Sequence, residues 1–369
     1  MKKIYYISNT LVPSSKANFI QSMHSCLILS KNFNVTFCFP NRGKIKINNT
    51  EIKKTFDSLD IKKNFEFKSF VCIDSLFIKR FSEKIWFRVL SISFLSFFFL
   101  NVLFSKNLPI IYSRSFYSLI FFYLIKFLRP NLKLIFECHH IRPKYNFFLK
   151  KINYCFAISN DIHKYLLINN IKSIQKFHKV NNFTNYKIEK RNYRQKLRIL
   201  YFGSFRKEKG VPWLIKNYFL FKNKFELTLV GQSSDEANKL LKKNLNSIKY
   251  LEFKNQKILK KLINQSDILI APYLQNNDSY LPMKLIEYLP LNKIILVTKT
   301  HSSFFLKDKI NCLKFNINCR YDIISKLHLA RHYLKSDHAF RMSTTNTYFF
   351  NRIQNYNYQN KFNILIDKI

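Results

Sequence analysis

Short apolar runs alternate with segments of helical length, and this alternation constrains the fold more than any other feature of the sequence. The first run, residues 3–7, is followed by a loop, a helical segment to about Ser30 and a second run at 35–39. This order predicts a β-α-β unit. Further strands are predicted in the first half at residues 108–112, 132–137 and 154–158. Strands that alternate with helices predict an α/β domain with a parallel sheet.

The alternation starts again after a charged segment that is poor in apolar residues, at about 186–196. A chain of 369 residues is long for a single core. The later strands are predicted at residues 198–202, 226–230, 250–253, 268–271 and 294–298. We therefore expect two α/β domains facing each other across a cleft, with C-terminal helices packing back. The predicted boundaries are 1–186 and 197–320 for the domains, 187–196 for the linker and 321–369 for the helical tail.

The chain is strongly basic, and this limits the classes of partner. Its 63 Lys and Arg residues against 21 Asp and Glu residues give a formal charge of +42, which favours an anionic ligand or surface. The charge is spread along the whole chain, and no RNP, KH or zinc-finger pattern occurs, so we do not expect a nucleic-acid partner. The apolar run near the N-terminus is too short for a signal-peptide core. We expect no export and a cytoplasmic location.

One long apolar segment interrupts the first domain. Residues 89–105 carry no charge and are rich in Phe, Leu and Ile, with Arg80, Lys84 and Arg88 before them and Lys106 after them. The segment, taken as 85–105, fits a buried helix, a membrane span, or a helix in the membrane interface with its cations on anionic headgroups. We favour the interfacial helix, because a span would divide the first β-α-β series.

Three of the four glycines lie in the second half, at Gly203, Gly210 and Gly231. Gly203 follows an apolar strand, and the loop to Gly210, which contains Ser204, Arg206 and Lys209, leads into a helix. Backbone N–H groups, the helix dipole and nearby cations all favour a phosphate there. A solvated basic turn fits the same residues, and the spacing excludes a Walker A loop.

A second candidate lies further along, at Lys284 and Glu287. The two residues are three apart, so they share one face of a predicted helix. A carboxylate in that place can bind a ribose diol, as acidic residues do in dinucleotide-binding folds. The alternative is a surface ion pair that contributes little.

Several motifs in order resemble the retaining GT-B glycosyltransferases of family 4, also called glycosyltransferase group 1. In the second half these are Tyr201-Phe202-Gly203-Ser204, Lys209-Gly210, Leu229-Val230-Gly231, Ser266-Asp267-Ile268, Ala271-Pro272-Tyr273 and Pro282-x-Lys284-x-x-Glu287-Tyr288. In the first half, the segment from Ser15 to Met23, Tyr112-Ser113-Arg114, Glu137-x-His139 and Ala157-Ile158-Ser159 resemble the envelope-polysaccharide subgroup. The resemblance covers about residues 1–315.

The resemblance implies a GT-B fold with two Rossmann-like domains and a nucleotide-sugar donor bound by the second. It also implies transfer to a glycan or lipid-linked acceptor, with retained configuration. Lys209 would hold the donor diphosphate, and Glu287 would bind the ribose. Ser204 stands where the family often has a basic residue, so Arg206 is the expected substitute. The expected donor-side residues are Gly203, Ser204, Arg206, Lys209, Gly210, Lys284 and Glu287.

On the acceptor side, the resemblance implies roles for Ser15, Lys16 and Asn18, with His139 and Arg114 as catalytic candidates. The family's E-x7-E pair has Ser279 in its first place, and the neighbouring Asp278 is the third catalytic candidate. Arg114 could instead pair with Glu137 across the sheet.

No acidic metal motif stands at a strand end, so we expect metal-independent transfer, with no cofactor besides the nucleotide-diphosphate sugar as substrate. The expected location is peripheral, on the inner face of the cell membrane. Two other functions stay open: a sugar-nucleotide epimerase of the same fold, and a non-catalytic descendant that binds a membrane or a partner.

Overall fold

A computed structural model describes residues 1–355 except 11, 13, 15–16, 43–63, 106, 176–195, 206, 232–234, 243–246, 253–255, 275–281 and 301–302. Contacts divide the chain into two units, Met1–Lys179 and Val180–Tyr356. Of the predicted linker, 187–196, only Lys196 lies within the described residues.

The N-terminal domain is built on a sheet of parallel strands in the order β3-β2-β1-β4-β5-β6-β7. The strands are β1 (Lys3–Ile7), β2 (Asn34–Pro40), β3 (Glu66–Phe70), β4 (Ile110–Ser113), β5 (Leu134–Cys138), β6 (Tyr154–Ala157) and β7 (Ser173–Gln175). The helices are α1 (Ala17–Leu29), α2 (Leu76–Phe81), α3 (Glu83–Leu103), α4 (Ser118–Leu128), α5 (Asn146–Leu149) and α6 (Asn160–Ile168). Because the chain runs outward from β1 in both directions, a topological switch point lies between β1 and β4.

The C-terminal domain repeats this plan with the order β10-β9-β8-β11-β12-β13, again all parallel. Its strands are β8 (Leu197–Phe202), β9 (Phe225–Val230), β10 (Ile248–Leu251), β11 (Ile268–Ala271), β12 (Ile294–Thr298) and β13 (Leu313–Phe315). Its helices are α7 (Val211–Asn217), α8 (Asp235–Lys242), α9 (Gln256–Gln265), α10 (Met283–Tyr288), α11 (Arg320–Lys335) and α12 (His338–Asn355). Here the switch point lies between β8 and β11.

The predicted architecture of two parallel-sheet α/β domains is confirmed. Strands such as β11 and β12 are buried along their whole length, as expected when helices cover both faces of a parallel sheet. Three short strands, β3, β7 and β13, were not predicted. Within the described part of the predicted tail, α11 and α12 are helical, and both helices pack on strands of their own domain.

Asn292 ends the helical segment that follows α10. It occupies a left-handed conformation with φ 54° and ψ 40° after α10, where glycine is common and asparagine is the best substitute. Its side-chain oxygen also accepts a hydrogen bond from Ser343 Oγ in α12 at 2.6 Å. The cap therefore joins the end of one helix to another.

The long apolar helix α3 has two different faces. One face is buried on the sheet, where the ring of Phe98 packs against those of Tyr5 and Phe70. The opposite face leaves apolar side chains exposed, including Phe97 and Leu100. By length and composition alone, α3 could cross a membrane, and it is the one such helix within the described ranges. Its buried face shows that it is also a core helix of the N-terminal domain.

Candidate functional site

In the C-terminal domain, glycines bring the ends of β8, β9 and β11 into direct backbone contact. A Cβ on Gly231 would lie 1.8 Å from the carbonyl oxygen of Gly203, and one on Gly210 would lie 1.6 Å from that of Pro272. The three glycines have φ values of +139°, +71° and +149° in chain order, which L-residues with side chains rarely adopt. At Gly210, the backbone of the loop after β8 packs directly against Pro272 in the loop after β11. The switch point is therefore lined by backbone, as an approaching anion requires.

Lys284 approaches this backbone from α10. Its Nζ lies 4.5 Å from the ring centre of Phe202 and 5.4 Å from that of Tyr201. A Cβ on Gly203 would lie only 2.2 Å from this Nζ. The missing side chain at Gly203 therefore makes room for the ammonium group. The contacts of Lys284 thus reach beyond Glu287, unlike those of the surface ion pair that the sequence left open.

Burial shifts the pKa values of Lys284 and of Glu287, its neighbour on α10. Desolvation lowers the pKa of Lys284 to about 8, with a further lowering from Lys209, while Glu287 acts in the opposite direction. Desolvation also raises the pKa of Glu287, and the charge of Lys284 opposes that rise. Such shifts mark groups that are withdrawn from bulk water, and they are frequent at binding sites.

Lys209 lies on the other side of the switch point. Its Nζ is 5.0 Å from the ring centre of Tyr273, and the carbonyl oxygen of Glu208 accepts a hydrogen bond from Leu274 N at 3.1 Å. Thr298 Oγ1 at the end of β12 donates to the carbonyl oxygen of Tyr273 at 2.8 Å. The loop that carries Lys209 is thus fixed to the loops after β11 and β12.

The other predicted donor-side positions are only partly described. Ser204 is exposed, and its carbonyl oxygen accepts a hydrogen bond from Tyr201 Oη at 2.7 Å. Arg206 and Asp278 lie outside the described residues, and so do Ser279 and the acceptor-side pair Ser15 and Lys16.

In the N-terminal domain, the predicted acceptor-side and catalytic residues meet at the carboxyl ends of β4 and β5. Arg114 Nη1 donates to the carbonyl oxygen of Asn18 at 3.1 Å, and Arg114 Nη2 lies 3.5 Å from His139 Nδ1. His139 Nε2 in turn lies 2.7 Å from Glu137 Oε1. Arg114 thus contacts His139, and His139 contacts Glu137. The structure brings Asn18, Arg114 and His139 together in one cluster.

Two polar residues beside this cluster were not among the predicted site residues: Glu137, which was named only in a motif and as an alternative partner of Arg114, and Asn9. Glu137 is fully buried and also accepts a hydrogen bond from Tyr112 Oη. Asn9, after β1, donates through Nδ2 to Ser91 Oγ of α3 at 2.9 Å and to Ser115 Oγ at 3.2 Å. The sequence could have pointed to Glu137 through its spacing, because it lies two residues before His139 and residues two apart at a strand end share one face.

Among the described residues, no group of three His, Cys, Asp or Glu side chains is arranged to hold a metal ion. The described charged side chains near the C-terminal switch point include Lys209, Lys284, Glu208 and Glu287.

Comparisons with known proteins agree with this geometry. Residues 196–320 match the family model described as glycosyl transferases group 1, and no curated protein matches the sequence. HepE of Anabaena, solved with UDP and glucose, is 10% identical with a TM-score of 0.67 and covers 100% of both chains. Sucrose-phosphate synthase from Thermosynechococcus elongatus is 12% identical with a TM-score of 0.72, over 96% of this chain and 95% of its own.

A third similar structure is the apo form of the lipopolysaccharide outer core galactosyltransferase WaaB, which is 14% identical with a TM-score of 0.67 over 100% of this chain and 99% of its own. At these identities the similarity establishes the fold. The chain therefore has the GT-B fold of glycosyltransferases, and its C-terminal domain is similar to the group 1 glycosyl transferases.

Proposed function

We propose that this protein is a glycosyltransferase that takes a sugar, a hexose or a related one, from a nucleotide-sugar donor and transfers it to a cell-envelope glycan acceptor. The observation that carries the proposal is the backbone-lined switch point of the C-terminal domain, with the ammonium of Lys284 against Gly203. A diphosphate fits such a place because peptide N–H groups and cations both stabilise its charge. The UDP bound to HepE supports the same ligand class.

The chain's own cations would stabilise the departing nucleoside diphosphate. As it leaves, negative charge builds on its phosphate oxygens, and fixed cations lower the free energy of that charge. We assign this role to Lys209, Lys284 and Arg206, without a metal ion. Glu287 would accept hydrogen bonds from the ribose. Retention of the anomeric configuration is the outcome that the family resemblance favours.

The N-terminal domain would bind the acceptor near Asn18, Arg114 and His139. We propose that the acceptor is lipid-linked and that the protein binds peripherally to the inner face of the cell membrane. Exposed apolar side chains support this proposal: Phe77 and Phe81 of α2 are 71% and 78% exposed, and Phe104 beside α3 is 80% exposed. The neighbouring cations Arg80, Lys84 and Arg88 are also exposed, and cations at an apolar face favour anionic lipid.

Two hydrogen bonds of Asn9 link the buried face of α3 to the acceptor-side cluster. Ser91 of α3 accepts from Asn9, and Asn9 also donates to Ser115, which follows Arg114. A membrane-bound α3 would therefore hold the acceptor-side residues close to the bilayer, where a lipid-linked glycan is presented.

A thermal-shift panel of UDP-, GDP-, ADP- and CMP-sugars tests the donor proposal. A ligand that binds only the folded state stabilises it by about 2.7 kcal/mol at a hundred times its Kd. We expect one nucleotide class to raise the melting temperature, and Lys209→Ala to reduce the effect. A panel without any stabilising nucleotide sugar would refute the donor assignment.

Product analysis with a labelled donor separates the proposed transfer from its alternatives. Conversion of the donor to an isomer without an acceptor would indicate an epimerase, and donor binding without turnover on any membrane acceptor would indicate a non-catalytic protein. Transfer of the label to a glycan is the expected result.

A further inference from the structure

A cavity with a strongly cationic lining lies in the N-terminal domain, away from the acceptor-side cluster. Its volume of about 340 Å³ is within the range of small-molecule binding sites. Among the described residues that line it, the charged ones are all lysines. The lining includes Lys133, Lys150, Lys151, Asn153 and Lys172. We call this site the lysine cavity.

The lysine cavity lies at the edge of the sheet opposite to the acceptor-side cluster. Lys133 precedes β5, Asn153 precedes β6 and Lys172 precedes β7, so the lining groups stand at the amino ends of three neighbouring strands. Glu137 and His139 stand at the carboxyl end of β5. A strand of five residues spans roughly 16 Å, so the two sites are separate.

The positive charge of the lysine cavity is not balanced by the acidic residues of the same segment. Between Arg129 and Lys172 the sequence has two of them, Glu137 and Asp161. Glu137 lies near the carboxyl end of β5, and Asp161 lies in the first turn of α6, which follows the carboxyl end of β6. Within the described part of the chain, none of the four lining ammonium groups has a hydrogen-bond or ion-pair partner. An anion in the cavity would therefore meet unpaired cations.

Asn153 adds a hydrogen-bond donor whose orientation is fixed. Its Oδ1 accepts from Leu134 N at 2.9 Å and from Lys126 Nζ at 3.4 Å. Both partners can only donate, so a flipped amide would place donors against Nδ2. The Nδ2 group has no partner among the described residues. It is therefore the group of this side chain that can donate to a ligand in the cavity.

Lys126, on the other side of Asn153, shows the effect of the clustered charge. Its Nζ also donates to the carbonyl oxygen of Leu132 at 2.8 Å. Desolvation lowers the pKa of Lys126, and the charge of Lys133 lowers it further. A positive neighbour destabilises the charged form of a lysine, and a bound anion would reduce this repulsion.

Exposed apolar side chains close to these cations favour a lipid as the source of the anion. Phe127 and Leu128 follow Lys126 at the end of α4, and both are exposed. Leu167 and Ile168 at the end of α6 are exposed as well. A lipid presents a phosphate and acyl chains together, so cations beside apolar side chains suit it better than they suit a soluble phosphate compound.

We propose that the lysine cavity binds the phosphate group of an anionic membrane lipid, with Asn153 Nδ2 and the lining ammonium groups as hydrogen-bond donors. Hydrogen bonds from cations to phosphate are among the strong ones, because both partners are charged. This inference does not depend on the proposed sugar transfer, since neither the sugar donor nor the acceptor glycan takes part in it.

The lysine cavity adds a second membrane contact to the one proposed for α2 and α3. The first contact, with Arg80, Lys84 and Arg88, lies around the amino end of α3. The second lies near its carboxyl end, because Arg129 Nη2 after α4 donates to the carbonyl oxygen of Leu103 at 2.7 Å. A helix of 21 residues is roughly 31 Å long. Contacts at both ends would hold the axis of α3 parallel to the membrane.

The substitution Asn153→Asp tests the cavity with little change to the fold. Asp keeps an oxygen for Leu134 N and Lys126 Nζ and replaces the NH₂ group by a negatively charged oxygen. Isothermal titration of the full-length protein with dihexanoyl phosphatidylglycerol, below its micellar concentration, measures binding. We expect the variant to bind roughly tenfold or more weakly than the wild type. Asn318→Asp, the same charge change at an exposed residue of the C-terminal domain, is the control and should bind like the wild type.

A second variant gives an independent test. Replacing Lys133 and Lys172 by Gln leaves the hydrogen bonds of Asn153 in place and removes two of the lining charges, so it should also weaken binding of this lipid. Equal affinity in the wild type and both cavity variants would exclude the cavity as the lipid site. The absence of any binding to the wild type would refute the proposal as well.

Water-soluble phosphates identify the source of the anion. Glycerol 3-phosphate and inorganic diphosphate lack acyl chains, so we expect them to bind more weakly than dihexanoyl phosphatidylglycerol. Binding of either at least as tight as that of the lipid would indicate a site for a soluble phosphate compound and overturn the lipid assignment. These titrations need no sugar donor, so their failure is distinguishable from a failure of the thermal-shift panel.

Discussion

The environment of Lys284 depends on Gly203, a residue that is distant in the sequence. Its ammonium group lies where Gly203 lacks a side chain, 81 positions earlier in the chain. Packing against aromatic rings removes water from the charge, and this desolvation is the main cause of its lowered pKa. A lysine in that state gains free energy when an anion binds, because the anion adds a negative charge to that of Glu287.

We predict that Lys209→Ala and Glu287→Gln each weaken nucleotide-sugar binding by roughly ten- to a hundredfold, as expected for the loss of a hydrogen bond to a charged group. Both variants should fold, since neither side chain belongs to the apolar core. Isothermal titration with the donor identified by the panel measures the effect. Lys222→Ala, an exposed change before β9, is the control. Wild-type affinity in both variants would remove these residues from the site.

We also predict that UDP binding takes up a proton near pH 8. In the free protein, Lys284 has a pKa of about 8, so it loses its proton as the pH rises through that value. A bound diphosphate favours the protonated form, so binding raises the pKa and affinity falls above about pH 8. Calorimetry at pH 8 in buffers of different ionisation enthalpy reports the uptake. Lys284→Arg, which stays protonated, should abolish it, and equal uptake in the two proteins would contradict the assignment.

At the scale of elements, the sequence predicts what depends on local pattern and misses what depends on distant partners. Strands such as β12 are continuous apolar runs, and their positions were predicted to within a few residues. The short strands β7 and β13 have three residues each, and β3 exposes most of its side chains, so none of them carries a clear pattern. The contact of Tyr112 with Glu137 joins β4 to β5, and the contact of Lys284 with Gly203 joins α10 to the end of β8, so no local motif could indicate these two contacts.

The glycine contacts between strand ends give a prediction about stability. Gly231→Ala places a Cβ against the backbone of Gly203 and keeps a left-handed φ, which alone costs roughly 1–2 kcal/mol. We expect urea unfolding to show a larger loss, together with weaker donor binding. Asn170→Gly, at an exposed residue with φ 56°, makes the opposite change and should alter stability by less than about 1 kcal/mol. Equal effects of the two substitutions would show that the strand ends tolerate a Cβ.

At the scale of the whole molecule, the basic charge and the apolar surface of α2 and α3 act together. The charge of +42 is spread over both domains, so attraction to anionic lipid alone would not orient the protein. In the proposed membrane binding, the exposed apolar side chains would orient the protein, because they gain free energy only where they enter the headgroup boundary. The core-facing side of α3 ties that surface to the sheet of the N-terminal domain.

Liposome flotation tests this expectation. Replacing Arg80, Lys84 and Arg88 by Gln should release the protein from anionic liposomes, since each cation contributes about 1 kcal/mol on such a surface. High salt should release the wild type. The control replaces Lys239, Lys257 and Lys260 by Gln, with the same loss of charge from exposed positions of the C-terminal domain. Salt-resistant binding would indicate a membrane-spanning helix. Equal release by both triple variants would indicate electrostatic attraction that is not confined to the surface of α2 and α3.

The backbone contacts of the glycines also bear on how this sequence can change over generations. Lys, Asn, Ile, Phe and Tyr are abundant while glycine is reduced to four residues, as AT-rich codon usage would produce. Three of the four stand where a Cβ would come within 2.2 Å of another heavy atom. We expect drift in nucleotide composition to replace glycine where the chain has room and to stop where two backbones touch. In saturation mutagenesis, Gly210 and Gly231 should therefore be among the least replaceable positions of the C-terminal domain.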